Sequence, residues 1–122
     1  MTAGNSLVYG VVFPCPTKKS KGILVCTTTH GNTFIGPNAN ELEDKEDHAV
    51  TMEGMNEIMT SARKLIPNLP MGQAITQFAG LRAVSSTGDF IIGPSDVEGF
   101  FNAAGMQSPG LTAAPAVGEL VA

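Results

Sequence analysis

Seven side chains, Met52, Met55, Ile58, Met59, Ala62, Leu65 and Ile66, recur at spacings of three, three, one, three, three and one. That rhythm places them on one face of a 3.6-residue period, so the segment reads as a helix with a single apolar stripe. Thr51 suits its N-cap, Glu53 falls in the first turn and Arg63-Lys64 in the last, and Pro67 stops it. A lone one-sided helix must lie on something flat and apolar. Here that can only be a sheet.

The sheet is supplied by short β-branched runs. "LVYGVVF" (Leu7 to Phe13) is closed by Pro14-Cys15-Pro16, and "ILVCTTT" (Ile23 to Thr29) follows a turn from Thr17 to Gly22. His30-Gly31-Asn32 then reads as a tight turn into Thr33 to Gly36. Loops this short cannot carry a parallel crossover, so the three runs form an antiparallel meander. Pro37 to His48 is a polar loop. Beyond the helix, "AITQFAGLRAV" (Ala74 to Val84) reads as a long strand interrupted at Gly80. Asp89 to Gly93 and Gly99 to Gly105 read as two more, followed by a helix beginning near Pro109-Gly110. The fold class is α+β: an antiparallel sheet with one main helix on a face, then a C-terminal strand–turn–helix.

At 122 residues the chain can bury a core, but it is short for an independent redox enzyme. A net charge of −4 and few basic residues argue against nucleic acid or an anionic membrane as partner. The basic cluster Lys18-Lys19-Ser20-Lys21 reads as a solvated hairpin tip. No apolar run approaches the roughly 20 residues of a membrane span, and the N-terminus lacks the pattern of a signal peptide. Cys15 and Cys26 read as small buried side chains in a reducing cytoplasm.

Most familiar chemistries find no footing. Cys15, Cys26, His30 and His48 share no metal-ligand spacing. The acidic run from Glu41 to Asp47 lacks the central glycine of a calcium loop. There is no G-x-S-x-G elbow and no activated cysteine. The methionine stripe reads as core. Two features remain. Gly105-Met106-Gln107-Ser108-Pro109-Gly110-Leu111-Thr112 is one residue from the phosphate-binding pattern G-x-x-x-x-G-K-[ST], with Leu111 where the charge-bearing lysine would stand. What survives is a glycine-rich turn feeding a helix N-terminus, whose unpaired N–H groups suit a delocalised negative charge, or else a plain connection. Arg82, among small and apolar neighbours, needs an anion: either Asp89 or Glu98 in a structural salt bridge, or a ligand.

These features in this order carry a resemblance. "FAGLRAVSSTGDFIIGP" followed by "GFFNAAGMQSPGLTAAPAVGELVA" resembles the C-terminal part of the catalytic region in FAD-dependent oxidoreductases related to D-amino-acid oxidase. The nearest branch is that of glycerol-3-phosphate dehydrogenase and L-2-hydroxyglutarate dehydrogenase-like proteins. The stretch from Val11 to Leu69 resembles their substrate-binding domain. The resemblance implies that 1–80 is part of a substrate-binding cap. It implies that 81–122 is a return segment whose strand–turn–helix joins the FAD-binding domain. Arg82 would then hold the anionic group of a small substrate, and residues Gly105 to Thr112 would meet the flavin of FAD. Ala83 stands where the family often has proline. Met106-Gln107 stand where many relatives carry a histidine, so no acid–base group is assigned there and the catalytic residues stay unknown.

No G-x-G-x-x-G follows a strand anywhere in the chain, so the pyrophosphate-binding fingerprint is absent. The expectation is therefore a fragment of a cytoplasmic FAD-dependent dehydrogenase, flavin-free and inactive by itself, whose partner is the rest of the parent chain. In the parent, hydride would pass from a substrate C–H to flavin. An L-2-hydroxyglutarate or amino-acid oxidising flavoenzyme is the alternative within the class. Outside it stands an anion-binding module, or an interaction module presenting Phe100-Phe101 or the methionine helix.

Overall fold

The computed structural model describes residues 7–16 and 21–122. Most of the Thr17 to Gly22 turn and of the basic cluster therefore lies outside the described residues. The chain divides into two compact units, Met1–Ala79 and Gly80–Ala122.

The first unit is the expected antiparallel meander with a helix on one face. Strands β1 (Val11–Val12), β2 (Leu24–Thr27) and β3 (Thr33–Gly36) lie in the order β1-β2-β3. Val11 pairs with Cys26, which pairs with Phe34, while Val12, Val25 and Ile35 form the next row. Alternation along a strand sends these two rows to opposite faces. The β2–β3 turn closes where composition placed it. Gly31 takes φ +77°, its N–H reaches Thr28 O at 3.0 Å, and the Asn32 N–H reaches Thr28 Oγ1 at 3.1 Å.

Helix α1 spans Met52–Leu65, with Thr51 as N-cap accepting from the Gly54 N–H at 3.0 Å and Ile66 as C-cap. It packs against β2 and β3. Ile23, Val25, Ala62 and Leu69 form the buried cluster, with Val8, Ile35, Ile58, Leu65 and Ile66 packed around it. Asn38 Nδ2 donates to Glu57 Oε2 at 2.9 Å and ties the start of the polar loop to the helix.

Four readings of the sequence are corrected in this unit or at its edge. The run from Leu7 to Phe13 forms ladder pairs only at Val11–Val12; Leu7 to Gly10 are bent, with Gly10 at φ +99°. They stay beside β2 through Thr27, whose N–H donates to Gly10 O at 3.2 Å and whose hydroxyl donates to Val8 O. Cys15 is exposed, since the chain has left the sheet before reaching it, and Cys26 is half-buried. Met52, at the open N-terminal end of the stripe, is 76% exposed rather than core. Ala74 to Val84 is not a strand. A 3-10 turn at Met71–Gln73 leads into an exposed, irregular segment that pairs with no described strand, and alternation without a ladder partner does not make a strand. Its Phe78 ring instead lies against Phe34, centroids 5.8 Å apart.

In the second unit β4 (Ile91–Pro94) and β5 (Phe101–Ala104) form a separate antiparallel hairpin, from Ile91 opposite Ala104 to Pro94 opposite Phe101. Its tip is closed by the Ser95 N–H to Phe100 O bond at 2.8 Å and by Ser95 Oγ, 3.1 Å from the Val97 N–H. Helix α2 (Gly110–Val121) packs on both strands. Pro109 is its N-cap rather than its first residue, and Pro115 lies within it. The unit buries no large apolar side chain.

Val25 has no exposed surface, so truncation there leaves a void that the neighbouring strand and helix cannot fill. Val25→Ala is expected to cost about 2 kcal/mol, read as a lower urea midpoint at unchanged m. Thr51→Ala should cost about 1 kcal/mol by removing the helix cap.

Candidate functional site

A cleft of about 430 Å³ opens in the second unit. One wall is the irregular run Gly80, Leu81, Arg82 and Ala83; the other is Ala103 and Ala104 at the end of β5, continuing into Gly105, Met106, Gln107 and Ser108. The structure thus brings Arg82 together with the first half of the glycine-rich turn. Pro109, Gly110, Leu111 and Thr112 do not line the cleft, and the Leu111 side chain is 91% exposed.

The local chain path explains the juxtaposition. Because Gly80 to Val84 is in no ladder, Gly80 to Ala83 are free to lie against the C-terminal end of β5. Ala103 and Ala104 there are small, so that stretch of the wall is backbone and methyl groups. Gly105 turns the chain at φ +70° and is buried. A Cβ on it would lie 2.9 Å from Ser85 Cβ and 3.0 Å from the Asp89 carbonyl oxygen. Gln107 takes φ 49°, and its Nε2 reaches Gly88 O at 3.4 Å.

Arg82 is exposed. Neither Asp89 nor Glu98 pairs with it, and among the described residues its guanidinium has no ion pair, so the structural salt bridge does not form. A free guanidinium presents a planar fork of donors suited to carboxylate or phosphate. At the head of α2, Ala113 N–H donates to Pro109 O at 2.8 Å. The N–H groups of Gly110, Leu111 and Thr112 have no protein acceptor among the described residues. Together with the helix dipole they make an electropositive edge.

The other candidates separate. Among the described residues no group of three His, Cys, Asp or Glu side chains could hold a metal ion. The two aspartates of the acidic run cap its own turns: Asp44 Oδ1 accepts from the Glu46 N–H at 2.9 Å and Asp47 Oδ1 from the Ala49 N–H at 2.7 Å. No helix is long and apolar enough to cross a membrane among the described residues. Two things were not read from the sequence: the small wall at Ala103-Ala104, and the bracing of Gly105 by Ser85. The tandem alanines immediately before a glycine were the available signal for the first. The turn composition of Ser85 to Gly88 gave no sign of its neighbour.

Arg82 and the first half of the glycine turn thus line one cleft, beside a helix N-terminus, on an α+β scaffold. The chain belongs to the FAD dependent oxidoreductase family, whose model matches residues 3–122. It is 50% identical over 95% of its length to glycerol 3-phosphate dehydrogenase of Caloramator mitchellensis, covering 24% of that protein. It is 35% identical over 94% of its length to glycerol 3-phosphate oxidase of Mycoplasma genitalium, covering 31% of it. It is 28% identical over 97% of its length to mitochondrial L-2-hydroxyglutarate dehydrogenase of Arabidopsis thaliana, covering 27% of it. The chain thus spans 24% to 31% of the length of these relatives. No solved structure matches it significantly.

Gly105→Ala should be costly for two separable reasons, positive φ and collision with Ser85 and Asp89, and is expected to lower stability by about 1–3 kcal/mol. Gly80→Ala meets nothing within 4 Å and should stay within about 0.5 kcal/mol of the parent. Parallel denaturant titrations of the two variants check the contrast.

Proposed function

We propose that this chain is the substrate-binding portion and flavin-contacting return segment of an FAD-dependent enzyme that oxidises glycerol 3-phosphate. Residues 1–80 belong to the cap over the substrate and 81–122 return the chain to the FAD-binding domain, which lies in other parts of the working protein and is its partner. We place that protein in the cytoplasm. The observation that carries the reading is the cleft shared by unpaired Arg82 and the turn from Gly105 to Ser108. The similarity to the two glycerol 3-phosphate enzymes over nearly the whole chain supports that substrate.

The donor set suits the family's cofactor. Three unpaired N–H groups at the start of α2, with the half-charge of the dipole, match the partial negative charge on the pyrimidine edge of a reduced flavin. The missing lysine at Leu111 fits the same ligand, since no terminal phosphate has to be reached there. FAD, when bound, supplies the acceptor for the hydride that leaves the substrate carbon. Arg82 binds the phosphate of the substrate through its guanidinium fork and fixes which carbon faces that acceptor. Gly105, lacking a Cβ, lets the turn close against Ser85 and the Asp89 carbonyl at the edge of the cleft. Met106 and Gln107 carry no acid–base group, so the substrate hydroxyl proton leaves through a base elsewhere in the enzyme.

The test is steady-state oxidation of glycerol 3-phosphate by the longer protein carrying this segment. Arg82→Ala is expected to raise KM roughly a hundredfold, and Arg82→Lys to recover part of it, as loss of a bidentate charge-assisted contact requires. An unchanged KM removes Arg82 from the substrate site, and a better rate with 2-hydroxyglutarate reassigns the substrate. The 122-residue chain purified alone is expected to show no flavin absorption and no turnover.

A further inference from the structure

Gly105 is the one buried residue among the described residues of the second unit, and the turn from Ser85 to Asp89 is what buries it. That turn is held by a closed set of side-chain hydrogen bonds with a single consistent direction. Ser85 Oγ–H donates to the carbonyl of Asp89. A hydroxyl has one proton to give, so in its 3.0 Å contact with Thr87 Oγ1 the Ser85 oxygen must accept. Thr87 Oγ1 in turn accepts from the Asp89 N–H at 3.3 Å. The ring runs from the Asp89 N–H through Thr87 and Ser85 back to the Asp89 carbonyl, and bonds arranged head to tail reinforce one another.

We propose that Ser85 is a positioning residue for the turn that faces the flavin. The three atoms that a Cβ on Gly105 would meet, Ser85 Cβ, Ser85 Oγ and the Asp89 carbonyl oxygen, all belong to residues of this ring. The carbonyl of Gly88, inside the same turn, receives the Gln107 amide. The ring is therefore the fixed wall behind Met106, Gln107 and Ser108, which line the same cleft as Arg82. Without the Ser85 hydroxyl the Asp89 carbonyl turns to solvent, the wall relaxes, and the turn loses its register on Arg82. Ser85 does not line the cleft; it acts through Gly105. The flavin part of the proposal rests on the functional reading above, while the bracing of the turn stands without it.

Site-resolved amide hydrogen exchange and FAD affinity, both in the longer protein, test it. Ser85→Ala is expected to speed exchange at Met106, Gln107 and Ser108 and to raise the FAD dissociation constant, each roughly threefold to tenfold, the range of one lost hydrogen bond. Thr87→Val should move the same amides in the same direction. The double variant should be little worse than Ser85→Ala alone, since one ring cannot be opened twice. Ser95→Ala, which loosens the far tip of the same hairpin, should lower Tm while leaving these amides and FAD affinity unchanged. Unaltered exchange in Ser85→Ala, or an equal effect from Ser95→Ala, overturns the positioning role. If the unmodified protein binds no FAD, the functional reading fails instead, and exchange alone decides for or against Ser85.

Discussion

The buried cluster of Ile23, Val25, Ala62 and Leu69 is where the described chain hides apolar surface, and the first unit is arranged by it. Val25 occupies the central strand, so its face decides which face of the meander turns inward. α1 follows, bringing Ala62, its smallest stripe residue, to the point of closest approach. The larger residues Ile58, Leu65 and Ile66 flank that point and remain partly exposed. The second unit has nothing comparable. Phe100, Phe101, Ile91 and Leu120 all stay exposed, and order there comes from the β4–β5 ladder and from backbone fitted against backbone at Gly105.

This division matches what each unit has to do in the proposed enzyme. A cap can be a self-supporting layer with its own core. A return segment gains little from a core of its own, because its apolar side chains are wanted against the cofactor-binding part. The site accordingly sits where backbone, not side-chain packing, sets the geometry. Amide groups presented by a braced turn need no reorganisation when a charge develops beside them, the arrangement that makes such donors effective.

Much of the fold was legible from local pattern. α1 emerged with its caps because stripe, N-cap and proline stop all agreed. β2, β3 and the turn at His30-Gly31-Asn32 emerged because strand and turn chemistry coincide there. β4, β5 and α2 were found within a residue or two. Ala74 to Val84 misled because strand propensity describes what a side chain tolerates, whereas a strand exists only when a neighbour completes its ladder. The site divides the same way. The order of Arg82 and the glycine turn could be read along the chain, but their sharing of one cleft depends on the path of that unpaired segment. The ring through Ser85, Thr87 and Asp89 was illegible for a related reason: its residues announce a turn, and nothing local says that a glycine some twenty residues later will rest on it.

Helix α2 has a last consequence. Gly110, Pro115 and Gly118 together place it roughly 5 kcal/mol below an all-alanine helix in intrinsic propensity, and Pro115 leaves the Leu111 carbonyl without its helical donor. Twelve residues of such composition cannot sustain a helix–coil equilibrium on the ordered side in water. The row of free amides at its head is therefore cooperative with the hairpin beneath it: those donors are aligned only when β4 and β5 are paired. Formation of the electropositive edge and folding of the second unit are one transition.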